Sequence, residues 1–312
     1  MALKKSTKPV DEIHPVKTLK EQIVSLDAAM LVAMSAAEIG AVHKLRTTTR
    51  RVEAHLRLVD LLEHATQPKD IPAHAAEASA VRRRLSKVRR AAGAVRDLDV
   101  QADAIWYDAP AKTAGQNDVA ATAVRRQAKA LRKHLLHNRG VEAGKLIAVL
   151  QAQQQKLAAA LRALEQAMKP ASGPAIEPKS MASRIQQWFA GEVQNVLGLR
   201  HGKNKLRMTL HVRLKRLDEE ELHTLRKAAK LCRYMAKSAP EGSNVRILAK
   251  QFEAVQEAGG KWHDWLLLAQ ISKGFNGKKA ELTLRYTKHS EQSLAAYYGA
   301  LEEMLPMLTQ TA

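Results

Sequence analysis

Two short motifs each occur twice in this chain, and in the same order. Val42-His43-Lys44-Leu45-Arg46-Thr47-Thr48-Thr49-Arg50-Arg51 recurs as Leu222-His223-Thr224-Leu225-Arg226-Lys227-Ala228-Ala229-Lys230. In both copies the histidine is followed by leucine at +2 and by bases at +3 and +7. Further on, Gly93-Ala94-Val95-Arg96-Asp97-Leu98-Asp99-Val100 aligns with Gly260-Lys261-Trp262-His263-Asp264-Trp265-Leu266-Leu267. Two motifs kept in order point to a duplicated unit, and a longer loop in the first half absorbs the 13-residue difference between the 180- and 167-residue offsets. Whatever one unit folds into, the other is expected to repeat.

That unit reads as helix. Ala, Leu, Arg, Lys, Gln and Glu dominate and β-branched runs are rare, which favours helix nearly everywhere. Periodicity predicts helices at about 18–38, 42–64, 73–106, 118–138 and 142–168, then about 180–199, 206–238, 244–258, 261–274 and 278–304. A break near Asp218 is expected, because Asp218 can cap a helix whose first turn is Glu219, Glu220 and Glu221. Residues 105–117 and 200–205 read as loops. The segment 169–179 holds Pro170, Gly173, Pro174 and Pro178 and cannot continue a helix. The expected organisation is therefore a basic, flexible N-terminus over 1–17, a first helical repeat over 18–168, a linker over 169–179 and a second repeat over 180–312. Closely spaced helices with short connections pack as antiparallel bundles, so the fold class is all-α.

Charge narrows the partner. Lys and Arg number 51 against 31 Asp and Glu, a formal net charge of +20. Solubility does not need so much, and self-repulsion opposes compaction, so a polyanionic partner is expected. Cys232 is the only cysteine. It excludes an intrachain disulfide and the usual Cys/His zinc sites, and it falls on an apolar stripe that should bury it. No apolar run of about 20 residues spans a bilayer, and Met1 to Lys8 is basic with no apolar stretch behind it, so no secretory signal is read and a cytoplasmic location is expected.

The positive charge is organised. At 100° per residue, His43, Arg46, Arg50 and Arg57 fall within about 60° of one another, beside an apolar stripe of Val42, Leu45, Thr49, Val52, Leu56 and Val59. Arg51 extends the first motif. His223, Arg226, Lys230, Arg233 and Lys237 line up in the same way beside Leu222, Leu225, Ala229, Cys232 and Ala236, with Lys227 next to them. Arg82, Arg89 and Arg96 recur every seven residues, as do Arg125, Arg132 and Arg139. A solvated face normally mixes both signs, and like charges at i,i+4 cost a few tenths of a kcal/mol each. Stripes that are nearly all positive, in both repeats, fit phosphate, which arginine grips through bidentate hydrogen bonds.

The His43-x-Leu-Arg-x-x-Thr-Arg-Arg motif, the Arg96-Asp97-Leu98-Asp99-Val100 element and His223-x-Leu-Arg-x-Ala-Ala-Lys with Arg233-Tyr234 together resemble the CHAD family, the conserved histidine α-helical domain. The resemblance runs from about residue 18 to about 305. It implies two four-helix bundles related by a pseudo-two-fold, and a basic central surface, groove or pore that binds inorganic polyphosphate without catalysis, with association with polyphosphate granules. The family's His and basic residues carry over to His43, Arg46, Arg50, His223, Arg226, Lys230 and Arg233. To these the stripes add Arg51, Arg57, Arg89, Arg96, Arg125, Arg132 and Lys227. Some positions depart: Glu53 stands where the second copy has Arg233, Leu231 replaces a usual base, and Ala249 and Gln256 stand opposite Arg82 and Arg89.

The alternatives are a nucleic-acid-binding protein using the same surface and an HD-type phosphohydrolase using His263 and Asp264. Aromatic residues make up only 4 % of the chain, and Trp106 and Trp188 read as core, which argues against base stacking. No zinc-finger, RNP-type or KH-type signature is present. The first-copy counterpart of His263-Asp264 is Arg96-Asp97, and arginine does not ligate metals. No P-loop exists, and Glu219, Glu220 and Glu221 fan around a helix. No cofactor or metal is expected. Asp97 is expected to hold Arg96 in place.

Overall fold

The computed structural model describes residues 12–63, 71–108, 119–169, 175–198, 210–304 and 306. Among them nine helices occur: α1 (Pro15–Ser35), α2 (Ile39–Glu63), α3 (Ala75–Asp108), α4 (Val119–Ala167), α5 (Pro178–Val196), the single turn α6 (Leu210–Leu214), α7 (Glu219–Ala236), α8 (Asn244–Asn276) and α9 (Glu281–Glu303). No strand occurs among the described residues, so the all-α expectation holds. No described helix is long and apolar enough to cross a membrane.

Local chemistry sets several ends. Pro15 and Pro178 sit in the first turn of α1 and α5, where a missing N–H costs nothing. The break expected near Asp218 is a capping box: Asp218 accepts from the Glu221 N–H at 2.8 Å, and Glu221 accepts from the Asp218 N–H at 2.8 Å. The Ser243 side chain accepts from Arg246 N at the start of α8. Gly277 ends that helix at φ +92°, a backbone state that favours glycine.

Two expected breaks are absent. α4 runs 49 residues straight through Arg139 and Gly140. A mid-helix glycine costs about 1 kcal/mol relative to alanine, but here Leu135 on one side and Leu146 on the other are both buried in apolar clusters, and packing overrides propensity. α8 likewise runs through Gly259 and Gly260. The reason at Gly259 is a close approach: a Cβ there would lie 2.8 Å from the Tyr297 ring of α9. That ring continues to α7, where its hydroxyl donates to the Leu222 carbonyl at 3.0 Å.

The other differences are of length. α2 has 25 residues where α7 has 18, so the extra length expected as a loop in the first half is in part helix. α3 continues to Asp108, inside the expected 105–117 loop. The rest of that loop, the 200–205 loop, residues 1–11 and residues 170–174 of the linker lie outside the described residues. α1 begins at Pro15, and Ile13 before it is already buried, exchanging backbone hydrogen bonds with Ile176 just ahead of α5.

Packing follows one order in each half. α1 packs on α2, α2 on α3 and α3 on α4, and α4 returns to α1. α5 packs on α7, α7 on α8 and α8 on α9. The halves meet where α2 touches α7, where α3 and α4 touch α8, and where α4 touches α9. The interior is not divided into one core per half. A continuous cluster from Leu19, Leu45, Leu85 and Leu150 to Phe189, Leu225 and Phe252 runs through both. A second, smaller core lies further along the long hairpins, where Ile105, Leu131 and Leu135 meet Leu268, Leu282 and Tyr286. Cys232 is buried, as its stripe predicted.

Candidate functional site

The contact of α2 with α7 brings the two histidine motifs face to face. Each helix buries its apolar stripe, Val42, Leu45, Val52 and Leu56 on one and Leu222, Leu225, Ala229 and Cys232 on the other. The charged faces next to those stripes are thereby turned toward a common seam, which α3 and α8 flank.

Electrostatics tie the seam together across the halves. Burial pushes Lys230 down to about 6, helped by Arg50 and Arg46 of α2 and by Arg226 and Arg233 of its own helix. Burial lowers Arg50, with Arg46, Arg226 and Arg89 adding to it. His43 is lowered by burial and then by Arg96, Lys230 and Arg46. His223 is pushed down to about 3 by burial, then by Arg226, His263, Lys227 and Arg50. Arg226 is lowered by burial, while Asp264 acts in the opposite sense. These groups feel one another because opposite halves of the chain hold them together; His43 stands exposed at the edge, and the others are partly buried.

Some of the cations are answered by acids. Arg46 donates to Asp97 at 2.8 Å, with the Arg46 side chain only 21 % exposed. Arg89 pairs with Glu53, Arg82 with Asp60 and Arg233 with Glu253. Lys237 reaches the same Glu253 oxygen at 2.7 Å. The expectation that Asp97 holds Arg96 is corrected: Asp97 holds Arg46, one helix away. The departure at Glu53 also gains a reason. Each half keeps an arginine–glutamate pair across its two flanking helices, but the polarity is reversed, Glu53 on α2 with Arg89 on α3 against Arg233 on α7 with Glu253 on α8.

Other cations are not answered. Arg50, Arg96 and Lys230 have no acidic partner among the described residues. Arg226 turns its Nη2 to the Nδ1 of His223 at 3.1 Å. His223 in turn stacks on His263, ring centroids 4.7 Å apart and 29° from parallel. Arg233 lies 4.9 Å over the Tyr234 ring. The Nε atoms of Arg46, Arg226 and Arg233 are buried without a hydrogen-bond partner.

The expected site residues therefore divide. His43, Arg46, Arg50, Arg89, Arg96, His223, Arg226, Lys230 and Arg233 gather at the seam, with Lys227 exposed at its edge beside His223. Arg51 is exposed and acts on His55, which lies on the far side of α2, well over a hundred degrees around the helix from Arg46. Arg57 lies at the other end of α2, 3.6 Å from Asp60 and 5.7 Å over the Trp188 ring of α5. Arg125 bonds Thr122, and Arg132 bonds the Ala102 carbonyl while covering Trp106, both along the second core. Arg139 holds Asp99 and the Ala37 carbonyl, a structural tie. Trp106 is corrected too: it is 65 % exposed, not core, and Trp188 is half-buried. Two tryptophans thus touch arginines of the stripes.

Sequence reasoning missed His263 as a neighbour of His223 and the acids as counter-charges. His263 and Asp264 stand 3.9 Å apart and belong to no metal-holding group of three or more His, Cys, Asp or Glu among the described residues.

The sequence profile of the CHAD domain matches residues 18–272 of the chain. The match stops within α8, short of the 305 expected from the motifs. A crystal structure of the CHAD domain from the plant Ricinus communis is similar over 99 % of this chain and 96 % of that one, with a TM-score of 0.58 at 14 % identity. PptA from Streptomyces chartreusis is similar over 93 % of this chain and 99 % of that one, with a TM-score of 0.57 at 13 % identity. At such identities these likenesses speak to the fold. Among curated protein sequences none matches the chain.

Proposed function

The chain belongs to the CHAD-domain family, and from that premise we propose that it binds inorganic polyphosphate along the α2–α7 seam and does no chemistry on it. The observation that carries this reading is the set of cations from both halves that face one another with no ion pair of their own among the described residues: Arg50, Arg96, Arg226 and Lys230. Placing such groups together costs stability through mutual repulsion and desolvation. A chain of phosphates lying along the seam offsets that cost at every position, and needs no base-reading groups. The location is taken as cytoplasmic, with association with polyphosphate granules.

The test is competition. Labelled long-chain polyphosphate is bound to the full chain and displaced by unlabelled polyphosphate, duplex DNA or single-stranded DNA at matched charge and salt. Polyphosphate is expected to displace best, with an affinity that falls steeply as salt rises, because neutralised phosphates release counterions. A flat salt dependence sinks the seam as the contact surface. Better displacement by single-stranded DNA favours a second reading, nucleic-acid binding, for which exposed Trp106 beside Arg132 supplies a stacking surface. Incubation with polyphosphate or nucleotides, with and without divalent metals, is expected to release no orthophosphate. Metal-dependent release that vanishes in Asp264→Ala replaces binding with hydrolysis.

A further inference from the structure

The seam holds two kinds of cation. Arginine keeps its proton at any working pH, whereas lysine and histidine can give theirs up when crowded. Lys230 and His223 are the crowded pair. Lys230 faces Arg46 and Arg50 from α2 and Arg226 and Arg233 from α7. His223 faces Arg226 and Lys227 on its own helix, His263 from α8 and Arg50 from α2. Three nearby carboxylates are taken: Asp97 by Arg46, Glu53 by Arg89, and Glu253 by Arg233 and Lys237. Asp264 acts on Arg226.

Hydrogen-bond geometry at His223 points the same way. A guanidinium has donors only. At 3.1 Å from Arg226 Nη2, the Nδ1 of His223 must accept, so it carries no proton and the ring is neutral. The stacking of His263 on His223 gives the ring a second cation-sensitive neighbour rather than an acid.

We propose that Lys230 and His223 are uncharged in the free protein, take up protons when a polyanion enters the seam, and so make the site select its ligand by charge density. This rests on the polyphosphate reading and adds the rule by which the site chooses. A dense row of phosphates replaces repulsion by attraction at both positions and draws the protons in. Arg226 turns from His223 Nδ1 to phosphate, which frees that nitrogen to bind its proton. A polyanion whose phosphates are spaced by sugars supplies less field at each position and draws in fewer. The directions at Lys230 and His223 described above agree with this geometry and set the sense of the pH dependence. The free groups lose their protons at lower pH than the bound ones, so affinity falls as pH rises between the two.

The experiment is titration calorimetry of the full chain with long-chain polyphosphate, whose few terminal groups contribute little, in buffers of differing ionisation enthalpy between about pH 6.5 and 8.5. Net uptake of at least one proton is expected, with affinity falling about tenfold per pH unit for each proton taken up. Lys230→Arg keeps a cation that cannot deprotonate, and its uptake is expected to fall by about one proton with a shallower pH dependence. His223→Asn keeps an acceptor for Arg226 and lowers the uptake in the same way. Single-stranded DNA of matched charge is expected to draw fewer protons than polyphosphate. Tight, salt-dependent polyphosphate binding with no proton uptake, or uptake unaltered in both variants, overturns this inference and leaves the binding reading standing. Failure to bind polyphosphate at all overturns both.

Discussion

On the α2–α3 side of the seam Arg46 is held by Asp97 and Arg89 by Glu53, while Arg50 and Arg96 have no acidic partner among the described residues. On the α7–α8 side Arg226 leans on a histidine, Lys230 has no acidic partner among the described residues, and Arg233 and Lys237 share the one carboxylate of Glu253. Where α2 presents Arg50, α7 presents Lys230. The charges that acids pin on the first side are permanent ones. The second presents a lysine and a histidine, groups that can change protonation. Two helices carrying one motif thus differ in where the acids stand, and on the protonation proposal the first holds position and the second responds.

Removing cations tests whether both sides grip one ligand. Charge-assisted hydrogen bonds are worth about 1.5–3 kcal/mol each in favourable settings. Arg46→Ala with Arg226→Ala is expected to cost well over a hundredfold in polyphosphate affinity, with helicity by circular dichroism retained. Arg46→Ala with Arg50→Ala, and Arg226→Ala with Lys230→Ala, are each expected to cost a substantial part of that. If emptying one side leaves affinity untouched, the shared seam is wrong and the comparison becomes one between a binding half and a scaffold half.

The sides also differ in how tightly they are built behind the motifs. In α8, Gly259 is a slot for the Tyr297 ring, which stacks on Trp262 at 5.7 Å and bonds the Leu222 carbonyl, one residue before His223. The motif alignment places Ala92, fully buried, at the matching position of α3. Gly259→Ala forces the ring or the helix to move, and overpacking of this kind costs about 1–3 kcal/mol. Gly93 has open space where its Cβ would stand, so Gly93→Ala is expected to gain up to about 1 kcal/mol in helix propensity. Urea unfolding of both variants decides it. Equal behaviour in the two would remove the steric distinction between the halves.

These same residues show what the sequence could reveal. Periodicity and caps depend on neighbours in sequence, and helix type, the Asp218 break and the burial of Cys232 were legible from them. The phase of Arg51, well away from Arg46, was also open to simple helical geometry. The continuity of α8 was not, because a glycine pair reads as a break until the tyrosine that fills it is placed from the next helix. The counter-charges were illegible for the same reason. Which acid on α3 or α8 stands opposite which arginine depends on the sliding register of two packed helices, and seven-residue spacing along one helix says nothing of it.

Neutralising the acids separates the two sides further. Asp97→Asn keeps an oxygen for Arg46 but removes a charge that competes with phosphate. Affinity is expected to rise a few-fold while stability falls by about 0.5–1 kcal/mol, the worth of a half-exposed pair. Asp264 makes no hydrogen bond to Arg226, so Asp264→Asn is expected to cost less stability for a similar gain. Binding curves and denaturant midpoints on the same samples give both readouts. A fall in affinity for Asp97→Asn would mean that the carboxylate's charge is needed to aim Arg46.

The smallest effect expected is in the connections that lie furthest from the seam. Between α2 and α3 sits His74, its side chain fully buried, with Nδ1 at 2.9 Å from the Pro72 carbonyl and the ring near Asp60 and Glu63. Between α7 and α8 no histidine stands; Arg246 bridges the Lys237 carbonyl and Glu241 instead. Asp60, 3.4 Å from Nε2, raises His74 above its ordinary value of 6.5, against the effect of burial, and the Pro72 carbonyl and Glu63 add to it. A histidine raised on folding contributes stability that is complete below its unfolded value and lost as pH rises through the folded one. Lys230 runs the other way, since a lysine held near 6 in the folded state makes stability grow with pH above that point. The comparison must therefore be the difference between the wild-type chain and His74→Asn, in which the Lys230 contribution cancels. That difference in unfolding free energy is expected to be largest at about pH 6 and to shrink toward pH 8.5. A difference that stays constant over this range would show that His74 packs there as a neutral ring, and that the α2–α3 connection is no more sensitive to pH than its counterpart.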